Sequence, residues 1–470
     1  MKRLFIKKEE LGGGERLIPV IFALAWPTML EQLMQTAVQY IDTAMVGSLG
    51  TDATAAVGST TTVNWLVGST LSAFGVGFLA YVSQAYGAGE KQRAARATAQ
   101  SVLVTLLAGL VFTAVTVGLS PFVPRWMQVD PAIEGIASRY FMILYLPMLF
   151  RAATIIFGTV LRAAGDTKTP MRVGIVVNLV NVVGNFFLIY ETRTRRLFGL
   201  QVTLPGAGLG VPGAAIASAV SFVVGGVLIT VALLRHREIS PIGYSLKPDR
   251  EILVPCMQVA LPNMLQRFCT SFGYVVFASM INSLGEISTA AHTIANTVES
   301  AFYIPGYGMM TAAATLTGNC IGARNAPRLR KMTRTIIAVE TAMMTASGAL
   351  LFVFARLMSG VFSADGQVLS LSTLVLRMVA LSEPFYGIAI VIEGMLQGAG
   401  ETKKPFYFNV GCMWGIRILG TFVCTRLLHY GLVSAWGCMI GNNVLLMLLY
   451  VLYFKSGVLD RAVHGIADDA

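Results

Sequence analysis

LRAAGDTKTP (161–170) and LQGAGETKKP (396–405) are one stretch written twice, 235 residues apart. The same shift carries Pro27 onto Pro262, Ser48-Leu49-Gly50 onto Ser283-Leu284-Gly285, and Gly87-Ala88 onto Gly322-Ala323. A single offset that holds without a gap from the first apolar run of each half to the fifth marks a tandem duplication. The glycines of the repeated stretch suit the left-handed turn that ends a helix, with basic loop residues following.

Hydropathy says what was duplicated. Of the 470 residues, 55% are hydrophobic and 13% charged, where a soluble domain carries about 25% charged residues. Apolar runs of about 20 residues, long enough to cross a bilayer as helices, fall at 18–46, 55–85, 97–120, 133–162, 170–190, 208–234, 252–283, 288–318, 333–359, 368–396, 405–428 and 432–455. Lipid-exposed backbone must satisfy its own hydrogen bonds, which makes these spans helical. The expected fold is an all-α integral membrane protein with twelve transmembrane helices in two six-helix lobes. An even number of spans per repeat gives both copies one orientation, related by a pseudo-two-fold axis along the membrane normal. The expected division is an N-lobe (1–234), an inter-lobe linker (235–251) and a C-lobe with a short tail (252–470).

Lys and Arg alternate from loop to loop. The N-terminus, the loops near 86–96, 162–172, 235–250, 324–334 and 403–404, and the C-terminal tail hold 24 of the 35. The opposite loops hold few apart from Arg193, Arg195 and Arg196. By the positive-inside bias both termini are cytoplasmic and the protein is multi-pass in the cell (inner) membrane. The net charge of +11 is then an orientation signal, and nucleic acid is excluded as a partner. MKRLFIKKEELGGGERL has no small-residue cleavage site and reads as a cytoplasmic start. Cys256, Cys269, Cys320, Cys412, Cys424 and Cys438 lie in or beside apolar runs without CxxC spacing and read as free thiols. The four histidines, at 236, 292, 429 and 464, are scattered, and no HExxH, GxSxG or P-loop pattern occurs. No enzyme and no resident cofactor is expected.

A charge at the bilayer midplane costs several kcal/mol, so intramembrane ionisable groups are the functional candidates. Asp42 lies in the first helix with Glu31, Gln35 and Gln39 preceding it on one face. It reads either as a cap at the helix end or as a buried carboxylate that loads a proton or a sodium ion. Removal from water brings carboxylate protonation within reach of physiological pH. In the fifth span Asn178, Asn181 and Asn185 share a face. They would ligate a cation, hydrogen-bond Asp42, or hold helices together. In the eighth span His292, Asn296 and Glu299 are spaced four and three apart, and Pro305-Gly306 should break or bend the helix. Pro27 should bend the first helix, and Glu383-Pro384 should bend the tenth. Glu299 and Glu383 read either as coupling or substrate groups or as partners of the bends. Glu393 should pair with a loop Arg or Lys. Arg151, Arg267 and Arg417 are candidate counter-ions. No acid is symmetric: the shift places Phe277 at Asp42, Asn64 at Glu299 and Met148 at Glu383.

Taken together, the DTAMVG…LG of the first helix, the repeated AGDTKTP/AGETKKP turn, the asparagine series before FFLIY, and IPGYGM…GNCIGAR resemble the multidrug and toxic compound extrusion (MATE) transporters over residues 18–455. The resemblance implies an antiporter that expels cationic or amphipathic small molecules in exchange for Na+ or H+. It maps the family's first-helix acid onto Asp42, as the possible Na+ site, and its fifth-helix asparagine onto Asn181. One branch has an aspartate at the position of Asn185; another has acids at the positions of Thr270 and Tyr386. Glu299 and Glu383, with Asn296 and Tyr386, are therefore the expected second cation or substrate site, together with Glu31, Gln35 and Gln39 of the first helix. The runner-up function is a flippase or exporter of a lipid-linked or other endogenous metabolite. Anionic headgroups would call for several cavity Arg or Lys, whereas the cavity candidates here are mainly acids and amides. The expected partners are the bilayer and small cationic substrates, with the chain a monomer.

Overall fold

The computed structural model describes residues 17–127, 129–197 and 200–465. The basic N-terminal segment and the last five residues lie outside them, as do the side chains of Arg193, Arg195 and Arg196. The N-terminal half comprises α1 (Leu17–Gly47), α2 (Thr51–Gly87), α3 (Lys91–Leu119), α4 in two pieces (Pro131–Tyr145 and Met148–Ala163), α5 (Lys168–Ile189) and α6 (Gly210–Leu234). The C-terminal half comprises α7 (Arg250–Asn282), α8 (Glu286–Gly322), α9 (Ala326–Phe362), α10 in two pieces (Gly366–Ala380 and Glu383–Ala399), α11 (Lys403–Leu427) and α12 (Leu432–Lys455), then a short α13 (Val458–His464).

Eight of the twelve long elements are apolar enough to span a membrane alone, and α4 and α10 do so as bent pairs. The other two, α7 and α8, carry Asn263, Gln266 and Glu299, which are buried within the protein. The 235-residue shift maps the bounds of α2 onto those of α8, and those of the first piece of α4 onto the first piece of α10. The helix starts repeat as well. Asp130 caps α4 by accepting from Ala132 N, and Asp365 caps α10 by accepting from Gln367 N and Val368 N.

Two local readings change. The span expected as a single rod at 133–162 is broken, with a bend of 49°, and the span at 368–396, where a bend at Glu383-Pro384 was expected, bends by 53°. The breaks fall at Leu146-Pro147 and Leu381-Ser382, one shift apart. Pro147 cannot donate to the helix ladder, and Pro384 opens the second piece of α10 in its first turn. By contrast, α1 runs unbroken through Pro27, and α8 unbroken through Pro305 and Gly306. The second change is a two-stranded antiparallel hairpin, β1 (Glu191–Leu197) with β2 (Leu200–Ala207), between α5 and α6. It has no counterpart between α11 and α12, so the constant offset ends there.

The core forks. At the end where the basic loops lie, one continuous cluster joins Ile21, Phe78 and Leu161 of the N-terminal half to Met309, Leu316, Val391 and Tyr450 of the C-terminal half. Toward the other end the clusters separate: Phe277, Val375, Leu376 and Trp436 pack within the C-lobe, and Leu71, Phe141 and Tyr145 within the N-lobe. Lipid tails give helices no hydrophobic reason to associate, so close packing over small residues holds the lobes together. A Cβ on Gly322 would lie 1.9 Å from Gln84 O, and one on Gly87 2.1 Å from Asn319 O. Across the same seam Gln84 Nε2 donates to Gly398 O at 3.0 Å, and Thr315 Oγ1 to Arg162 O at 3.2 Å.

The linker is clamped to the N-lobe. Lys91 Nζ lies 2.6 Å from Glu238, and the Tyr86 hydroxyl donates to the same carboxylate at 2.5 Å. Arg96 reaches Asp249 at 2.6 Å, while Asp249 caps the start of α7 by accepting from Glu251 N. Partial burial would push the Glu238 carboxyl up, but Lys91 and Tyr86 outweigh it and hold it below the usual range.

Candidate functional site

In the N-lobe the structure gathers a polar knot from α1, α5 and α6. Asn185 Nδ2 donates to Asp42 Oδ1 at 2.6 Å. The Asn181 amide lies beside the same carboxylate. With its nitrogen turned to Asp42 it donates at 2.7 Å to Oδ1, and its oxygen accepts from Ser218 Oγ at 2.9 Å. That orientation is the one the surrounding donors and acceptors satisfy. Asn178 is buried one turn away, with no partner for its Nδ2 among the described residues. Of the alternatives open to the asparagines, hydrogen bonding to Asp42 is what Asn181 and Asn185 do. Asp42 is half-buried, not capping the end of α1, and Gln35 and Gln39 on its face are exposed.

Glu31 stands apart from this knot. It pairs with Arg162 at 2.9 Å, both side chains being mostly buried, and thereby ties α1 to the end of α4. Among the described residues no three His, Cys, Asp or Glu side chains converge as a metal site. A sodium ion at Asp42 would therefore depend on one carboxylate plus amide oxygens. The two amides meet that carboxylate with their nitrogens.

The C-lobe holds three buried acids on three helices: Glu299 on α8, Glu340 on α9 and Glu383 on α10. Glu299 and Glu340 are both within electrostatic reach of Glu383. Glu340 was missed by sequence reasoning. It is fully buried, both its carboxylate oxygens lack a partner among the described residues, and Gly306 and Gly387 make room for it. A Cβ on Gly306 would lie 2.9 Å from Glu340 Oε1. Gly306 thus serves as a slot for a side chain, not as a break. The signal was present in IAVETAMM, a lone acid in an apolar run.

Helix periodicity put His292, Asn296 and Glu299 together, but they part in the fold. Glu299 is buried, Asn296 is exposed, and His292 sits edge-on between Phe277 and Trp436, 5.8 Å from each ring. Tyr386 joins an aromatic group instead: its hydroxyl lies 3.1 Å from that of Tyr307, and the Tyr303 ring stands 6.0 Å away.

The expected salt bridge of Glu393 is replaced by amides. Gln266 Nε2 donates at 2.8 Å, with Gln397 and Asn409 each at 3.3 Å. Three neutral donors from α7, α10 and α11 meet this carboxylate, and among the described residues no Arg or Lys reaches it. Nor, among the described residues, do Arg151, Arg267 and Arg417 form ion pairs with these acids. Arg151 donates to Asn64 Oδ1 at 2.5 Å, Arg267 to Asn263 Oδ1 at 3.1 Å, and Arg417 lies over the Phe277 and Tyr274 rings at 4.3 and 4.6 Å. Arg417 acts on Glu299 only through space.

The MatE family model matches two segments, residues 27–187 and 262–423, one in each repeat. A probable multidrug resistance protein NorM of Thermotoga maritima is 26% identical over 453 residues, which cover 96% of this chain and 95% of that one. A probable multidrug resistance protein YoeA of Bacillus subtilis is 25% identical over 435 residues, 91% of each chain. An outward-facing multidrug resistance MATE family transporter of the MOP superfamily shares the fold, with a TM-score of 0.87 at 23% identity, covering 97% of this chain and 99% of the other.

Proposed function

Because this chain belongs to the MatE family of transporters, the multidrug and toxic compound extrusion proteins, we propose that it is an antiporter exporting cationic, amphipathic small molecules in exchange for protons. The single observation behind this reading is the Asp42–Asn185–Asn181 knot, a carboxylate held by two amides on the wall of one lobe. A proton needs one oxygen and leaves the amides in place. A sodium ion would have to turn amide oxygens inward, against the arrangement that Ser218 supports. Loading the proton neutralises Asp42 and closes the far halves of the lobes; releasing it restores the charge that a cationic substrate meets. Gln35, Gln39 and the exposed rings of Tyr274 and Tyr307 supply the mixed polar and aromatic surface on which such molecules dock.

In this reading the basic face is cytoplasmic, as are both termini, and a single chain in the cell membrane is the working unit. The seam of glycines then closes the cytoplasmic side while the lobes part outward. The test is efflux of a cationic dye from proteoliposomes under an imposed pH gradient and, separately, an imposed sodium gradient. Efflux driven by the pH gradient alone is expected. Efflux driven only by sodium overturns the coupling, and no dye movement under either gradient overturns the substrate class.

A further inference from the structure

We infer that Cys424 and Cys438 are a redox pair that closes to a disulfide and staples α11 to α12. Their Sγ atoms lie 3.9 Å apart, in contact, on different helices. A disulfide holds its sulfurs about 2.05 Å apart, so closing it must draw the two thiols together. Two features of the chain create the contact. The last turn of α11, Val423–Leu427, is π-wound, which changes the direction in which Cys424 points relative to a regular helix. Opposite Cys438 stands Gly420, where a Cβ would come 3.1 Å from its Sγ, so the glycine leaves the thiol its space. Both cysteines are only half-buried, in contrast to Cys256, Cys320 and Cys412. The pair sits at the end of the C-lobe away from the basic loops, and its facing an oxidising compartment rests on the orientation proposed above.

The chemistry balances with an external disulfide as oxidant, such as that of a thiol–disulfide oxidoreductase. One cysteine, as its thiolate, attacks the oxidant's disulfide and forms a mixed disulfide, releasing one thiol of the oxidant. The second cysteine, as its thiolate, then attacks the Sγ of the first, closing the protein disulfide and releasing the oxidant's other sulfur as a thiol. Two S–H bonds of the protein are lost, one S–S bond forms, and both electrons and both protons end on the two thiols of the reduced oxidant.

The test uses the full-length protein in right-side-out vesicles, treated with oxidised glutathione outside or with permeant diamide, then alkylated under denaturing conditions. Expected is a fall from six alkylatable cysteines to four, with a peptide linking Cys424 to Cys438 seen by mass spectrometry. Cys438→Ser should keep its five thiols under the same treatment. The oxidised wild type should also melt several degrees higher, and dithiothreitol should reverse the shift. Six remaining thiols after diamide, or equal thiol loss in Cys438→Ser, overturns the pair. Closure by diamide but not by external glutathione upholds the pair and overturns the orientation instead.

Discussion

Asn185 reaches across from α5 to place its amide nitrogen 2.6 Å from Asp42 Oδ1 on α1. A hydrogen bond to a charged group contributes about 1.5–3 kcal/mol. Asn185→Ala should therefore weaken dye efflux by roughly 10- to 100-fold, while Asp42→Asn should abolish it. Both variants should still fold, Asn185→Ala with a lowered melting temperature. Wild-type efflux in Asp42→Asn would remove Asp42 from the mechanism.

The pair formed by Glu31 and Arg162 is mostly buried and should behave quite differently. Arg162→Met leaves a carboxylate without its partner and should cost about 3–5 kcal/mol of stability. The double variant Glu31→Gln/Arg162→Met should recover a large part of that loss. Thermal melting of the four proteins closes the cycle, and an additive result would show that the two side chains do not interact.

Gly322 meets backbone of the other lobe, which cannot turn aside as a side chain can. Gly322→Val should hold the basic end apart. Cys256 and Cys320, buried near this seam, should then be alkylated much faster than in wild type. Unchanged labelling, read by peptide mass spectrometry, would mean that the seam relaxes around the added methyls.

The linker clamp carries a pH dependence with a definite sign. Because the Glu238 carboxyl is held below its ordinary 4.5, the clamp contributes above that value and is lost as pH falls through the lowered one. This exposed contact is worth about 1 kcal/mol or less. Glu238→Gln should lower the melting temperature slightly at pH 7, and the difference from wild type should vanish in strong acid. A difference that grows on acidification would contradict the assignment.

The fold was legible because its determinants are local. Runs of apolar residues set the helices, and one repeated offset set their pairing into halves. The bend in α4 was hidden because an apolar run reads alike whether straight or broken, whereas Pro384 marked the one in α10. Pro27 and Pro305 marked bends in helices that run unbroken. The site was legible where partners share a helix face, as with Asn181 and Asn185. It was not legible where the partner comes from elsewhere. Nothing near Glu393 foretells Gln266, 127 residues away. Nothing near Glu340 foretells the glycines of two other helices that admit it.

The forked core also has a mechanical consequence. A shared core at one end and separate cores at the other make a lever with a short fulcrum and long arms. At 37 residues, α8 is about 55 Å long, so a few degrees of rocking over the glycine seam becomes several ångströms at the tips. Bulk added at the fulcrum should therefore be felt most strongly far from where it is placed, whereas bulk added at the tips should be felt only there.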